Sequence, residues 1–181
     1  MTRCFIAIDL PKEITDELSR VQKEIYSEDA KLLNVKPENI HITLKFLGEI
    51  DDGQMEKAER VLAGLKFKKF KAKLDSIGVF PNESFIRVVW VGINPGERIN
   101  EIHDTLDTEL HREGFALDNE FENHATLARV KVVKDKKAFI EQLGKIKVKP
   151  LEFEVNSIAL KESMLTPNGP IYGDIFKIKL A

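Results

Sequence analysis

"HITLKFLGEI" (His41–Ile50) and "HATLARV" (His124–Val130) open on the same phrase, His-x-Thr-Leu, 83 residues apart. The chain has 4 histidines, 7 threonines and 18 leucines in 181 residues. Composition alone would give a histidine this phrase roughly 0.4 % of the time. Two of the four have it, which points to construction and not coincidence. On a strand, residues i and i+2 share a face. His41 and Thr43 then point one way, with Ile42 and Leu44 behind them. His124 and Thr126 do the same, with Ala125 and Leu127 behind.

Working outward, Ile40–Leu47 reads as a strand, preceded by a strand at Phe5–Leu10 and an amphipathic helix over 12–27 with Ile14, Leu18, Val21 and Ile25 on one face. Asp51 and Asp52 cap a second helix carrying Met55, Ala58, Leu62 and Leu65. Phe70–Phe80 is the next strand. The order then recurs: a strand at Phe85–Ile93, and a helix opened by Pro95 with Ile99, Ile102, Leu106 and Leu110 on one face. The second motif lies in a strand at Phe121–Val130. A helix over 134–144 follows, then strands at Leu151–Leu160 and Tyr172–Leu180. Ser163, Pro167, Gly169 and Pro170 read as a loop. A shift of 83 lays Phe5–Leu10 on Val88–Ile93, His41 on His124 and Phe70 on Phe153. The chain therefore reads as one domain, 1–181, with an internal duplication of approximate repeats 3–80 and 85–180. Two such copies make a two-lobed body with pseudo-twofold symmetry, in which the motif strands face each other across a cleft.

Composition narrows the function. Hydrophobic residues are 43 % and charged residues 32 %, the balance of a globular chain with a substantial core. No apolar run reaches the ~18 residues of a membrane span, and no signal peptide is read at "MTRCFIAIDL". One cysteine, Cys4, excludes an intrachain disulfide and fits a cytoplasmic setting; it reads as a buried strand residue. A net charge of −2 excludes a globally basic nucleic-acid binder, which leaves local patches at Lys66–Lys73 and Lys131–Lys137.

Two imidazoles and two hydroxyls suit displacement at phosphorus. Imidazole transfers protons in either direction near its ordinary pKa of about 6.5. One can act as base on the attacking oxygen and the other as acid on the leaving oxygen, while hydroxyls donate to the remaining oxygens. Such chemistry asks for no metal and no cofactor. Zinc would need a third protein ligand. The other histidines, His103 and His111, sit eight apart on a predicted helix and read as solvent-facing.

The paired phrases resemble the signature of the two-histidine (2H) phosphoesterases. With "RCFIAIDLP", "NIHITLKFLGEI", "NHATLARV" and "ESMLTPNGPIY", the whole chain is similar to the RNA 2′,3′-cyclic phosphodiesterases, also described as 2′-5′ RNA ligases. The resemblance implies an α+β fold, with mostly antiparallel sheets lining the cleft and helices outside. It implies hydrolysis of an RNA 2′,3′-cyclic phosphate to a 2′-phosphate end, and ATP-independent joining of such an end to a 5′-hydroxyl. It implies His41 as proton donor and His124 as proton acceptor; the motifs are too alike to assign these roles unaided. Further candidate substrate contacts are Arg129, Tyr172, Phe46 and Arg3. Arg129 binds phosphate or makes a structural ion pair; at +5 from His124 it faces away unless the strand bulges. Phe46 reads as core before it reads as a base platform. Tyr172 stacks a base or packs at a strand start. The expected partner is RNA with a 2′,3′-cyclic phosphate end, tRNA halves among the candidates, met by a monomer away from membranes. The alternatives are a related enzyme acting on ADP-ribose 1″,2″-cyclic phosphate or 2′-5′ oligonucleotides, and a nucleotide- or RNA-binding module without turnover.

Overall fold

The computed structural model describes residues 1–25, 28 and 30–181. The strands are β1 (Thr2–Asp9), β2 (Ala30–Asn34), β3 (His41–Ile50), β4 (Phe70–Asn82), β5 (Phe85–Asn94), β6 (His124–Val133), β7 (Glu152–Val155), β8 (Ser157–Thr166) and β9 (Gly169–Lys179). All pair antiparallel in one sheet. The helices are α1 (Lys12–Glu24), α2 (Asp52–Gly64), α3 (Gly96–Arg112) and α4 (Lys136–Lys145). The expected end of the first helix, at 26–27, lies outside the described residues.

Helix patterning translates directly into packing. Ile14, Leu18 and Val21 of α1 and Ile99, Ile102, Leu106 and Leu110 of α3 are buried stripes at helical spacing. Asp51 alone caps α2: its carboxylate accepts from the Gln54 N–H at 2.8 Å, and the Gln54 side chain accepts from the Asp51 N–H at 3.1 Å. Asp52 falls in the first turn. Asp135 caps α4 by one bond, its carboxylate accepting from the Ala138 N–H.

Strand boundaries depart further from the sequence reading. The strand expected at Leu151–Leu160 is two, β7 and β8, on different neighbours: β7 pairs with β4, and β8 with β1 and β9. The loop expected around Ser163–Pro170 is a tight hairpin. Ser163 lies inside β8, Gly169 and Pro170 inside β9, and only Pro167 and Asn168 connect them. The strand β2, "AKLLN", has no alternation to announce it.

The sheet order is β7-β4-β5-β6-β3-β1-β8-β9, with β2 beside β6. It reads symmetrically outward from the β6–β3 junction. Those two strands meet at a single pair, Ile42 with Ala125, which are equivalent positions of the two repeats. The pseudo-twofold axis therefore passes between them. The two halves of the sequence exchange outer strands across it: β4 joins β5 and β6, while β8 and β9 join β1 and β3.

Each motif strand carries the same irregularity. Against β1, Ile6 pairs with Lys45 and Ala7 with Thr43, so Leu44 is an extra residue. Against β5, Val89 pairs with Ala128 and Trp90 with Thr126, so Leu127 is extra. These are β-bulges at equivalent positions. Each turns two successive side chains inward, Leu44–Lys45 and Leu127–Ala128, all buried. The next residues, Phe46 and Arg129, return to the face that carries the histidines.

Candidate active site

Antiparallel pairing about Ile42 and Ala125 puts His41 and Thr126 on one side of that pair and Thr43 and His124 on the other. Beneath them Ile42, Leu44, Ala125 and Leu127 are at most 1 % exposed and fix the strands in the core. The four motif side chains are half-buried on the opposite face.

Both rings are held in one tautomer by the same device. His41 Nδ1–H donates to the Asn39 carbonyl at 2.7 Å, and His124 Nδ1–H donates to the Glu122 carbonyl at 2.7 Å. A carbonyl can only accept, so the neutral ring carries its proton on Nδ1 and turns Nε2 into the cleft. His41 Nε2 lies 2.8 Å from the Thr43 hydroxyl. Among the described residues His124 Nε2 and the Thr126 hydroxyl have no partner. The holding residues Asn39 and Glu122 are themselves 83 apart. Asn39 also donates from its side chain to the Pro170 carbonyl at 2.8 Å, which ties the motif to the β8–β9 hairpin.

Aromatic rings complete each seat. Phe5 stacks on His41 at 4.9 Å, and Tyr172 meets both edge-on, at 4.8 and 5.4 Å. Phe80 and Trp90 stack at 4.8 Å and flank His124 at 4.9 and 5.9 Å. Gly78 makes that arrangement fit: a Cβ there would come within 2.2 Å of the Trp90 ring.

Burial pushes the His41 imidazole down to about 4; the Asn39 carbonyl opposes the shift, while the charge of Lys161 adds to it. That lysine is held by Asp9 at 2.8 Å and by Asp174, and Lys177 braces Asp9 at 2.9 Å. Burial lowers His124 too, opposed by the Glu122 carbonyl. The charge of His124 lowers His41 a little further. Burial raises the Tyr172 hydroxyl, and the charges of Arg129 and Arg3 pull it back.

The bulge answers the question of Arg129. It points to the cleft face, within electrostatic reach of Tyr172, and makes no ion pair among the described residues. Phe46 is not core, as sequence reasoning favoured. It is 70 % exposed, on the same face, its ring 6.3 Å from that of Phe5. Arg3 is exposed at the rim. Phe5, Phe80, Trp90, Asn39 and Glu122 escaped the sequence reading. Only the last two left a signal, their common place two residues before a histidine.

His103 is also corrected. It is 4 % exposed and stacks on Phe121 at 3.8 Å; His111 is exposed. His103, Asp107 and Asp118 offer ligand atoms within 4.8 Å of one another. The ammonium of Lys45 already occupies that cluster, at 2.5 Å from Asp107 and 2.8 Å from Asp118. The cluster lies behind the sheet from the cleft, because the bulge sends Lys45 inward.

Two inward-facing His-x-Thr strands related by a dyad, in a duplicated antiparallel sheet, define a phosphoesterase of the two-histidine kind. A family model described as LigT like phosphoesterase matches twice, over residues 8–90 and 91–172, and the chain belongs to that family. It is 41 % identical over 172 residues to the RNA 2′,3′-cyclic phosphodiesterase of Methanocaldococcus jannaschii, covering 94 % of this chain and 96 % of that one. It is 35 % identical over 181 residues to the protein of the same name from Methanothermobacter thermautotrophicus, covering 98 % of each. A crystal structure from Thermus thermophilus superposes with a TM-score of 0.81 at 26 % identity, over 98 % of this chain and 97 % of that one. E. coli LigT complexed with 3′-AMP shares the fold, with a TM-score of 0.80 at 23 % identity over 99 % and 98 % of the two chains.

Proposed function

We propose that the chain is an RNA 2′,3′-cyclic phosphodiesterase that leaves a 2′-phosphate end, and that the same cleft supports ATP-independent 2′-5′ joining. The observation that carries this is the pair of histidines, each held through Nδ1 by a carbonyl with Nε2 left toward the cleft, where His41 meets the Thr43 hydroxyl.

His124 takes the proton of the attacking water as its oxygen bonds to phosphorus. The P–O3′ bond breaks, and His41 gives O3′ its proton. Burial holds the His41 imidazole down to about 4, in favour of the neutral ring. The anionic phosphodiester beside it favours the imidazolium and loads the acid. Thr43 and Thr126 donate to the non-bridging oxygens. Arg129 and Arg3 contact phosphate, and Tyr172 and Phe46 seat the terminal nucleoside. In ligation a ribose 5′-hydroxyl replaces water. The two repeats span approximately 3–80 and 85–180. The protein works as a cytoplasmic monomer on cyclic-ended RNA, tRNA halves among its candidate substrates.

A steady-state panel tests this: cyclic-ended RNA beside ADP-ribose 1″,2″-cyclic phosphate and a 2′-5′ oligonucleotide, with and without EDTA. Cyclic-ended RNA should turn over fastest, and chelation should change nothing. His41→Ala and His124→Ala should each cost at least ~100-fold. Preference for another substrate, or loss on chelation restored by zinc, would replace this reading. Binding without turnover would leave a nucleotide-binding module.

A further inference from the structure

Past the motif, β6 keeps its cleft face but changes neighbours. It meets β3 only at Ala125, and from Ala128 onward β2 takes a place beside it. Leu33 pairs with Arg129 and Leu32 with Val130. Lys31 then pairs with Val132, leaving Lys131 as the extra residue of another bulge. Leu32 and Val130 turn inward against the core. Opposed residues share a face, and the bulge doubles one of them. Arg129, Leu33, Lys31, Lys131 and Val132 therefore continue the face that carries His124 and Thr126.

All five are exposed, Leu33 to 55 % and Val132 to 51 %. Among the described residues, none of the three cations has a carboxylate partner. The other basic run, Lys66–Lys73, differs. Lys71 pairs with Glu152 at 2.7 Å and Lys69 lies 3.7 Å from Glu154, at the β4–β7 edge of the sheet. In a chain of net charge −2, a polyanion has to be held locally. From Thr126 to Val132 the strip runs about 20 Å at ~3.3 Å per residue, enough for several nucleotides.

We propose that this strip holds the single-stranded RNA leading into the cyclic phosphate, with Lys31 and Lys131 on its phosphates and Leu33 and Val132 against its sugars and unpaired bases. The proposal deepens the RNA reading above and rests on it. A track that begins at the reacting phosphate acts on the length of the substrate and leaves the chemistry alone.

The test uses two substrates with the same reacting group, a 2′,3′-cyclic mononucleotide and a cyclic-ended oligonucleotide. The Lys31→Gln/Lys131→Gln variant should keep kcat/KM on the mononucleotide, which also shows that it folds. Binding of a 2′-phosphate-ended oligonucleotide should weaken about tenfold at low salt, and its log–log salt slope should become shallower by about 1.4, two contacts at ~0.7 each. A Lys66→Gln/Lys68→Gln control should keep the full slope. An unchanged slope in the Lys31/Lys131 variant, or equal losses on both substrates, would overturn the track. Failure of the unaltered protein to turn over either substrate is a different result and removes the RNA reading itself.

Discussion

His41 and His124 each owe their orientation to a carbonyl two residues upstream, with no carboxylate partner on the ring among the described residues. A dipole fixes a tautomer without adding a full charge, so burial dominates and both imidazoles lie below their ordinary range. The pH dependence follows with a definite sign. kcat/KM reports the free enzyme, so its bell should centre on the acid side of about 6.5. kcat reports the complex, where the substrate anion favours both imidazoliums, so its bell should move to higher pH. Coincident profiles would sink this account. The hydroxyls are tested separately. Thr43→Ala and Thr126→Ala should each lower kcat/KM by about 10- to 1000-fold, the range of other oxyanion donors. Thr→Ser should keep much of the rate; equal damage from Ser and Ala would assign the loss to the missing methyl. These four residues were legible because the motif recurs. Phe5, Phe80 and Trp90 were not, since an aromatic in a strand gives no hint that its ring will rest against a histidine.

The elements were legible where their period was regular. The α1 and α3 stripes follow helical spacing residue by residue, and buried and exposed positions alternate as expected around each His-x-Thr. Alternation failed at the bulges, because one extra residue reverses every later assignment. Phe46 was therefore favoured as core and Arg129 was left open, and both lie on the cleft face. Lys45 is the cost of the bulge in β3: a lysine whose side chain is 2 % exposed, held by Asp107 and Asp118. The second repeat has Ala128 at the equivalent place and needs no such pair. Lys45→Met would leave two facing carboxylates and should destabilise by about 3–5 kcal/mol, the cost of breaking a buried pair from one side. Thermal unfolding measures it, and adding Asp107→Asn should recover part. A loss within the ~0–1 kcal/mol of a surface pair would mean that water reaches the cluster.

At the scale of the molecule, the duplication could be read from the order of elements and the strand exchange could not. β4 meets β5 through a two-residue turn, a local pairing, but nothing local in Ser157–Thr166 says that it will cross to β1. That choice is a long-range one, made by which edges remain open. It makes the repeats interdependent. Cut in the β4–β5 turn, between Glu83 and Ser84, neither fragment holds a complete sheet half. Each alone should show no cooperative unfolding, and the two mixed should regain activity. A fragment that folds alone, by thermal unfolding and amide dispersion, would contradict this.

Twofold symmetry at the centre of the cleft cannot tell left from right. An imidazole, a hydroxyl and a carbonyl stand on each side of the Ile42–Ala125 pair, so a phosphate meets the same reagents whichever way round it lies. Handedness has to come from unlike partners at equivalent places: Phe46 against Arg129, and Ala7 against Trp90. On the proposed assignment those residues move no protons, yet they set which histidine gives one. The polarity of the reaction then belongs to the seat and not to the reagents. A 3′-thiolate leaving group needs no acid and should rescue His41→Ala alone. With Phe46→Arg and Arg129→Phe exchanged, that rescue should pass to His124→Ala; if it stays with His41→Ala, direction is written in the histidines themselves.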